Sequence, residues 1–358
     1  MRPVGDIDPE FFAPDEELTS HVPLLDAWLA RQSGARPLAG MSALLVQHQL
    51  DNQVPMVAAL ASLAPKRWPK SVAIVEQTTR GFIKLERDAS LRHAAGAVSL
   101  IDVARSSCKR MLEPPFIGMA VCAALQPHLR RHFGASFTGR CLVLGYGAIG
   151  EQVATFLRHH FAMSHDRVFV HDPSAAPAAL ARARGFPAWD REDFGTRFDV
   201  VVGCSGQASF TTGDAVYLED GALLASASSG AVEMSRQEFI EWADASPSDD
   251  VGVLRAGLDE ADLHADIRLR LVDRTVTFVN GGFPVNFNGR LTVCPSRLIQ
   301  PTPTMMVAAA VQAAGALRAG QLGVQALDPP FCDWVDTSFR ALLGEQASWL
   351  LPVPESAW

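Results

Sequence analysis

Arg140–Leu157 reads RCLVLGYGAIGEQVATFL. Cys141–Leu144 is a four-residue apolar run, the length of a short buried strand. Gly145, Tyr146, Gly147, Ala148, Ile149 and Gly150 then form a GxGxxG loop, and the residues after it carry helical apolar spacing. The three glycines serve different ends: Gly145 the tight turn, Gly147 the approach of a pyrophosphate to the backbone, Gly150 the close packing of helix on strand. The helix start adds free N–H groups and the positive end of a dipole, which suit phosphates. A bare GxGxxG is weak evidence, but here a strand precedes it and a helix follows. Val168–Asp172, VFVHD, is a second apolar run ending in a carboxylate, about 20 residues past the last glycine, where a ribose 2′-hydroxyl is held. Asp172 with no arginine directly after it favours NAD over NADP. A dinucleotide-binding domain is expected.

Outward from this stretch, strands and helices alternate. Asp199–Gly203 (DVVVG) and Gly221–Ala227 (GALLASA) read as further strands and Ser235–Ala243 as a helix. Ile267–Val272 and Thr275–Val279 flank Asp273-Arg274 as a hairpin turn would. On the other side, Ser42–Gln47, Ser71–Val75 and Ala97–Ile101 are three short apolar runs, with a helical stretch from Pro55 to Leu63 between the first two. A further helix is expected around Val22–Arg31. Polar residues gather after the strands of this N-terminal part: His48, then Glu76–Arg80, then Asp102 through Glu113. Ligands of parallel sheets gather at such carboxyl ends. Phe116 onward reads as a helix leading into the nucleotide domain, and Thr304–Arg318 and Phe331–Leu343 read as returning helices. The expected fold is α/β: a Rossmann-type NAD domain with a parallel doubly wound sheet (118–304), plus a smaller, truncated α/β substrate domain (1–117, with a return segment 305–358).

Composition narrows the class. The chain has 358 residues, is 48% hydrophobic and 20% charged, and carries a formal charge of −8. That is ample for a core, and it offers no basic field for nucleic acid or anionic membrane. The acidic, proline-punctuated opening is unlike a signal peptide. Six cysteines, at 108, 122, 141, 204, 294 and 332, show no metal-binding spacing. A reduced, cytoplasmic protein with a small-molecule substrate is expected, with no nucleic-acid or membrane partner and no metal.

With the glycine loop and the strand ends in view, the chain resembles the S-adenosylhomocysteine hydrolase (adenosylhomocysteinase) family from about Ser42 to about Met306. GYGAIG is similar to that family's GYGxVG. EQTTRG at 76–81 resembles EETTTG, whose threonines bind the nicotinamide ribose. This implies cofactor roles for Thr78 and Thr79 and substrate contacts for Gln77 and Arg80. KRMLE at 109–113 resembles the KSKFD segment, which implies catalytic roles for Lys109 and Glu113. FVNGGFPVN at 278–286 resembles LAEGRLVN and places Asn286 on the nicotinamide amide. GALLASASSGAVEM at 221–234 resembles the strand ending in NIGHFDVEI. Ser205 joins the cofactor set, and His48 corresponds to a family histidine near the leaving group. The resemblance also implies tightly bound NAD and a homo-oligomer.

The departures bear on the chemistry. Gln77 stands for an acid, Arg80 for a threonine and Glu113 for an aspartate. Ser229, counted with the substrate set, aligns on the catalytic histidine. No histidine follows His264, and Gln300-Pro301 stands nearest the family's His-Pro. Family enzymes oxidise a sugar 3′-hydroxyl with NAD, release a 5′ thiolate, add water and return the hydride. A general acid or base typically contributes about 100- to 10,000-fold, so the elimination half is weakened here. Each residue also has a plainer reading. Lys109 and Glu113 fit an ordinary i,i+4 ion pair, Thr78 and Thr79 fit turn or cap positions, and His48 fits a structural histidine. Three readings stand: oxidation-triggered chemistry on a nucleoside or thioether, a dehydrogenase that keeps only the hydride step, and a non-catalytic NAD-binding regulator.

Overall fold

The computed structural model describes residues 22–32, 37–38, 41–46, 56, 59, 71–76, 78–134, 137–160, 163–164, 166–228, 232–244, 253–254, 265–271, 274–287, 294–347 and 351. The chain divides into two compact units: Phe12–Phe116 with Cys294–Trp358, and Ile117–Val293 with Met1–Phe11.

The first unit opens with α1 (Pro23–Ala30), β1 (Met41–Val46) and β2 (Ser71–Glu76). Then come α2 (Thr79–Arg87), α3 (Ala89–Gly96), β3 (Ser99–Asp102) and α4 (Ser107–Leu112). Side-chain caps start the short helices. Thr78 accepts from the N–H of Gly81 (3.0 Å), and Asp88 from those of Ser90 and Leu91 (2.8 and 3.0 Å). The expected strand from Ala97 begins at Ser99 instead, because Ala97 closes α3 by donating to Ala94 O. Of the expected helix 55–63, only Met56 and Ala59 are described, both helical and buried.

In the second unit, the chain passes from α5 (Pro114–Phe133), which starts on the boundary, into β4 (Cys141–Leu144), α6 (Ala148–His160), β5 (Val168–His171) and α7 (Ala175–Ala183). After these come β6 (Phe198–Gly203), β7 (Leu218–Ser226), α8 (Arg236–Asp244), β8 (Val253–Leu254), β9 (Ile267–Leu271) and β10 (Arg274–Phe278). The strand order is β5-β4-β6-β7-β10-β9-β8. β5 through β10 run parallel, and β9 and β8 add an antiparallel edge. The chain starts this sheet in its middle, with β5 on one side of β4 and β6 on the other. That reversal is the switch point of a Rossmann-type fold. Leu142, Leu144, Trp189, Phe198, Val201, Phe239 and Phe278 share one buried core on the sheet. The apolar spacing places Arg274 in the hairpin turn. It is instead the first residue of β10, paired with Leu271, and its guanidinium donates to Leu218 O (2.6 Å).

The chain then returns to the first unit as α9 (Ser296–Ile299), α10 (Pro301–Arg318), β11 (Gly323–Ala326) and α11 (Pro329–Leu343). β11 completes an all-parallel sheet in the order β1-β2-β3-β11. α10 packs on this sheet with most of its 18 residues buried. Its alanines at 308, 309, 310, 313, 314 and 316 let the helix lie close to the strands. The returning helices start earlier than their apolar runs, at Pro301 rather than Thr304 and at Pro329 rather than Phe331. Proline fits the first helical turn, where the N–H has no partner to lose. Among the described residues no helix is long and apolar enough to cross a membrane.

Candidate functional site

In the second unit, the carboxyl ends of β4, β5, β6 and β7 lie level. Leu144 pairs with both His171 and Gly203, and Gly203 with Ser226. The loops leaving these strands therefore meet at the switch point. Gly145 has φ +93°, and a Cβ there would stand 2.7 Å from Ser205 Cα. A Cβ on Gly150 would overlap the carbonyl oxygen of Gly145. Both positions admit glycine alone. Gly147 differs from them. A Cβ built there meets no atom within 4 Å, so its face of the loop is open, and Gly147 and Ala148 are exposed while Ile149 is half-buried.

Asp172, the acid after β5, turns back onto this loop. Its Oδ2 accepts the N–H of Tyr146 (2.7 Å) and its Oδ1 that of Ser174 (2.8 Å). No spacing in the sequence foretells this engagement, which follows from β4 and β5 ending side by side. A carboxylate offers about four acceptor positions, so two bonds leave room for hydroxyls of a ligand.

Ser205 follows β6 and points at an acid that sequence reasoning passed over. Its hydroxyl lies 2.8 Å from Oε2 of Glu233. Glu233 is fully buried, and it also takes the hydroxyls of Ser209 and Ser228 and the N–H of Gly206 (2.6 Å). This one carboxyl group pins the loop after β6 to the turn after β7. Its only trace in the sequence is an acid standing among apolar residues in GAVEM.

Asn286 completes this end of the sheet. The segment before it is tied to β7 through the N–H of Val285 on Ser226 O (2.8 Å). Asn280, at φ +54°, holds the loop by donating to Pro284 O (2.6 Å) and Phe287 O (3.0 Å). Asn286 is 4% exposed, yet neither its amide oxygen nor its nitrogen has a hydrogen-bond partner among the described residues. An unpaired buried polar group costs about 1–3 kcal/mol. A primary amide offering both a donor and an acceptor matches the carboxamide of a nicotinamide. The open face at Gly147 and this orphaned amide together fit a nicotinamide dinucleotide.

In the first unit, Lys109, Glu113 and Thr302 come together. Ser106 caps α4 by accepting the N–H of Lys109 (3.4 Å). One turn on, Lys109 Nζ pairs with Glu113 Oε2, which also accepts the hydroxyl of Thr302 from the first turn of α10. Lys109 is only 8% exposed, so this is a mostly buried pair rather than a solvated one. Thr302 precedes the apolar run of its helix, so no spacing marks it. Gln300 caps α1 through Leu24 N–H (3.0 Å). Thr78 caps α2, and Thr79 is exposed on its first turn. His48, Gln77 and Ser229 lie outside the described residues, as does the side chain of Arg80.

No family model matches the chain. Uncharacterized proteins of two Mycobacterium tuberculosis strains, CDC 1551 and H37Rv, are 30% identical over 306 residues, which is 85% of this chain and 51% of theirs. The chain thus spans about half the length of the curated relatives it matches. Among solved structures, a glyoxylate reductase from Paecilomyes thermophila aligns over 57% of this chain and 78% of its own, at 14% identity and TM-score 0.35. The A chain of Bacillus subtilis dipicolinate synthase aligns over 44% and 50%, at 13% identity and TM-score 0.32.

Proposed function

We propose that this chain is an NAD-dependent enzyme of the adenosylhomocysteinase kind, acting on a hydroxyl of a nucleoside or small thioether-type substrate. The observation that carries this reading is the buried, unpartnered amide of Asn286 at the same sheet end as the open glycine loop. The loop at Gly145–Gly150 would hold the pyrophosphate, Asp172 the adenine-side ribose and Asn286 the nicotinamide amide. When bound, NAD supplies reversible hydride transfer. The chain's own contribution is proton handling. Lys109 Nζ and Glu113 Oε2 can hold and pass on the proton of a substrate hydroxyl, and Thr302 orients the carboxyl group. Ser229 cannot carry a proton near neutral pH as a histidine does. That favours a second reading, in which only the hydride step is kept. A small-molecule substrate and a homo-oligomer belong to the same proposal.

Titration calorimetry tests the cofactor. NAD is expected to bind at least about tenfold more tightly than NADP, since the Asp172 carboxylate repels a 2′-phosphate. Gly147→Val should abolish binding by filling the open face. Asn286→Ala removes up to two hydrogen bonds of about 0.5–1.5 kcal/mol each, so affinity should fall about tenfold. Tighter binding of NADP, or full affinity in both variants, would refute the assignment.

A further inference from the structure

We propose that Cys108 and Cys332 form a redox-active dithiol in the first unit, which a peroxide closes to a disulfide. Cys108 lies on α4 and Cys332 on α11, 224 positions apart in sequence. Their sulfurs stand 2.9 Å apart, both as free thiols. A disulfide spans about 2.05 Å, so closure needs an approach of about 0.9 Å between two packed helices. Cys108 is fully buried and Cys332 keeps the pair's remaining 3% exposure. Cys332 is thus the residue of the pair nearer the surface.

Electrostatics single out the same residue. The Cys108 thiol donates to Cys332, which pulls the Cys332 thiol below its usual range, while Cys108 is pushed far up. Burial pushes Cys122, Cys141, Cys204 and Cys294 up as well, which keeps them protonated and unreactive. Hydrogen peroxide is small enough to reach a nearly buried sulfur. The Cys332 thiolate attacks one peroxide oxygen, forming S–O and breaking O–O, and the departing hydroxide takes a proton to become water. Cys108 then attacks the sulfenic sulfur, S–S forms, S–O breaks, and the second hydroxide leaves as water with the thiol proton. Two thiols and one peroxide become one disulfide and two waters.

The pair sits beside the proton-handling group. Cys108 precedes Lys109 on α4, and its sulfur lies 3.2 Å from Met305 Sδ on α10, the helix that supplies Thr302 to Glu113. Oxidation would lock α4 to α11 and draw Cys108 away from α10. The redox state of the thiols thus reaches the Lys109–Glu113–Thr302 group whatever substrate that group serves.

The full chain is treated with hydrogen peroxide, denatured, alkylated, and analysed for free thiols and by non-reducing peptide mass spectrometry. The expected result is a loss of two of the six thiols per chain, a peptide linking Cys108 to Cys332, and full reversal by dithiothreitol. Cys108→Ser should give a dimedone-reactive sulfenic acid at Cys332 and no link. Cys332→Ser should leave Cys108 unoxidised. Alkylation of both thiols after a dose that fully oxidises added glutathione would overturn the proposal. So would first oxidation at any other cysteine. The wild-type measurement decides even if a variant fails to fold.

Discussion

Lys109→Ala is expected to abolish NADH formation on a bound nucleoside while leaving NAD affinity within about twofold of the wild type. Lys109 is mostly buried and paired with Glu113, whose carboxyl group also takes the hydroxyl of Thr302. A positioned acid–base group contributes about 100- to 10,000-fold to rate, and losing one used only in the transition state lowers kcat more than ground-state binding. Thr302→Ala keeps the ion pair and removes only the hydroxyl, so its effect should be milder, about tenfold on kcat with KM nearly unchanged. The assay follows cofactor absorbance and homocysteine release together, with adenosine and S-adenosylhomocysteine as probes. NADH without release supports the hydride-only reading, and fast release marks a true hydrolase. An undiminished rate in Lys109→Ala would end the role given to this pair. Neither signal in a protein that still holds NAD would favour a non-catalytic regulator.

The parts of this site written in adjacent residues could be read from the chain, and those assembled by the fold could not. Gly145 and Gly150 announce themselves because one turn imposes both a positive φ and a close approach, and both constraints act within six residues. The alternation of strands and helices likewise has a local period. Apolar spacing places the helix starts later than Pro301 and Pro329, because proline carries no apolar signal although it suits the first turn. Thr302 reaches Glu113 across 189 positions and Gln300 reaches Leu24 across 276. Nothing in the spacing of either residue foretells its partner. Lys109 and Glu113 show the limit most clearly. Four-residue spacing put them on one helical face, but only packing determined that the lysine is buried. The spacing of Asp172 marks a ribose ligand, but not the backbone N–H groups of Tyr146 and Ser174 that it also accepts. Residues at strand ends acquire such neighbours from strand order, which the sequence of one strand does not contain.

Glu233→Ala is expected to cost about 3–5 kcal/mol of stability, because it strips several buried donors of their acceptor at about 1–3 kcal/mol for each one left unsatisfied. The acid is fully buried and receives the hydroxyls of Ser205, Ser209 and Ser228 and the N–H of Gly206. Its Cβ abuts Gly203 so closely that a Cβ on that glycine would stand 2.5 Å away, which leaves a truncated site little freedom to collapse. Part of the loss is recoverable. Ser205 can turn its hydroxyl to Gln207 O (3.0 Å), and the N–H of Gly206 keeps Ser228 Oγ (3.0 Å) as a second acceptor. Glu233→Gln keeps the shape and one acceptor oxygen but turns an NH2 group toward donors. Its cost should therefore fall between alanine and wild type, at about 1–2 kcal/mol. Urea denaturation measures both, and the order Ala, then Gln, then wild type is the signature of a hydrogen-bonded acid rather than of lost volume. The loop that Glu233 holds passes within packing distance of Gly145, so loosening it should also weaken NAD binding in calorimetry, in the same order. Stability within about 0.5 kcal/mol of wild type in both variants, the usual range for surface substitutions, would show that Glu233 does not hold these two loops together. A large stability loss with unchanged NAD affinity would instead separate the scaffold around Glu233 from the dinucleotide site.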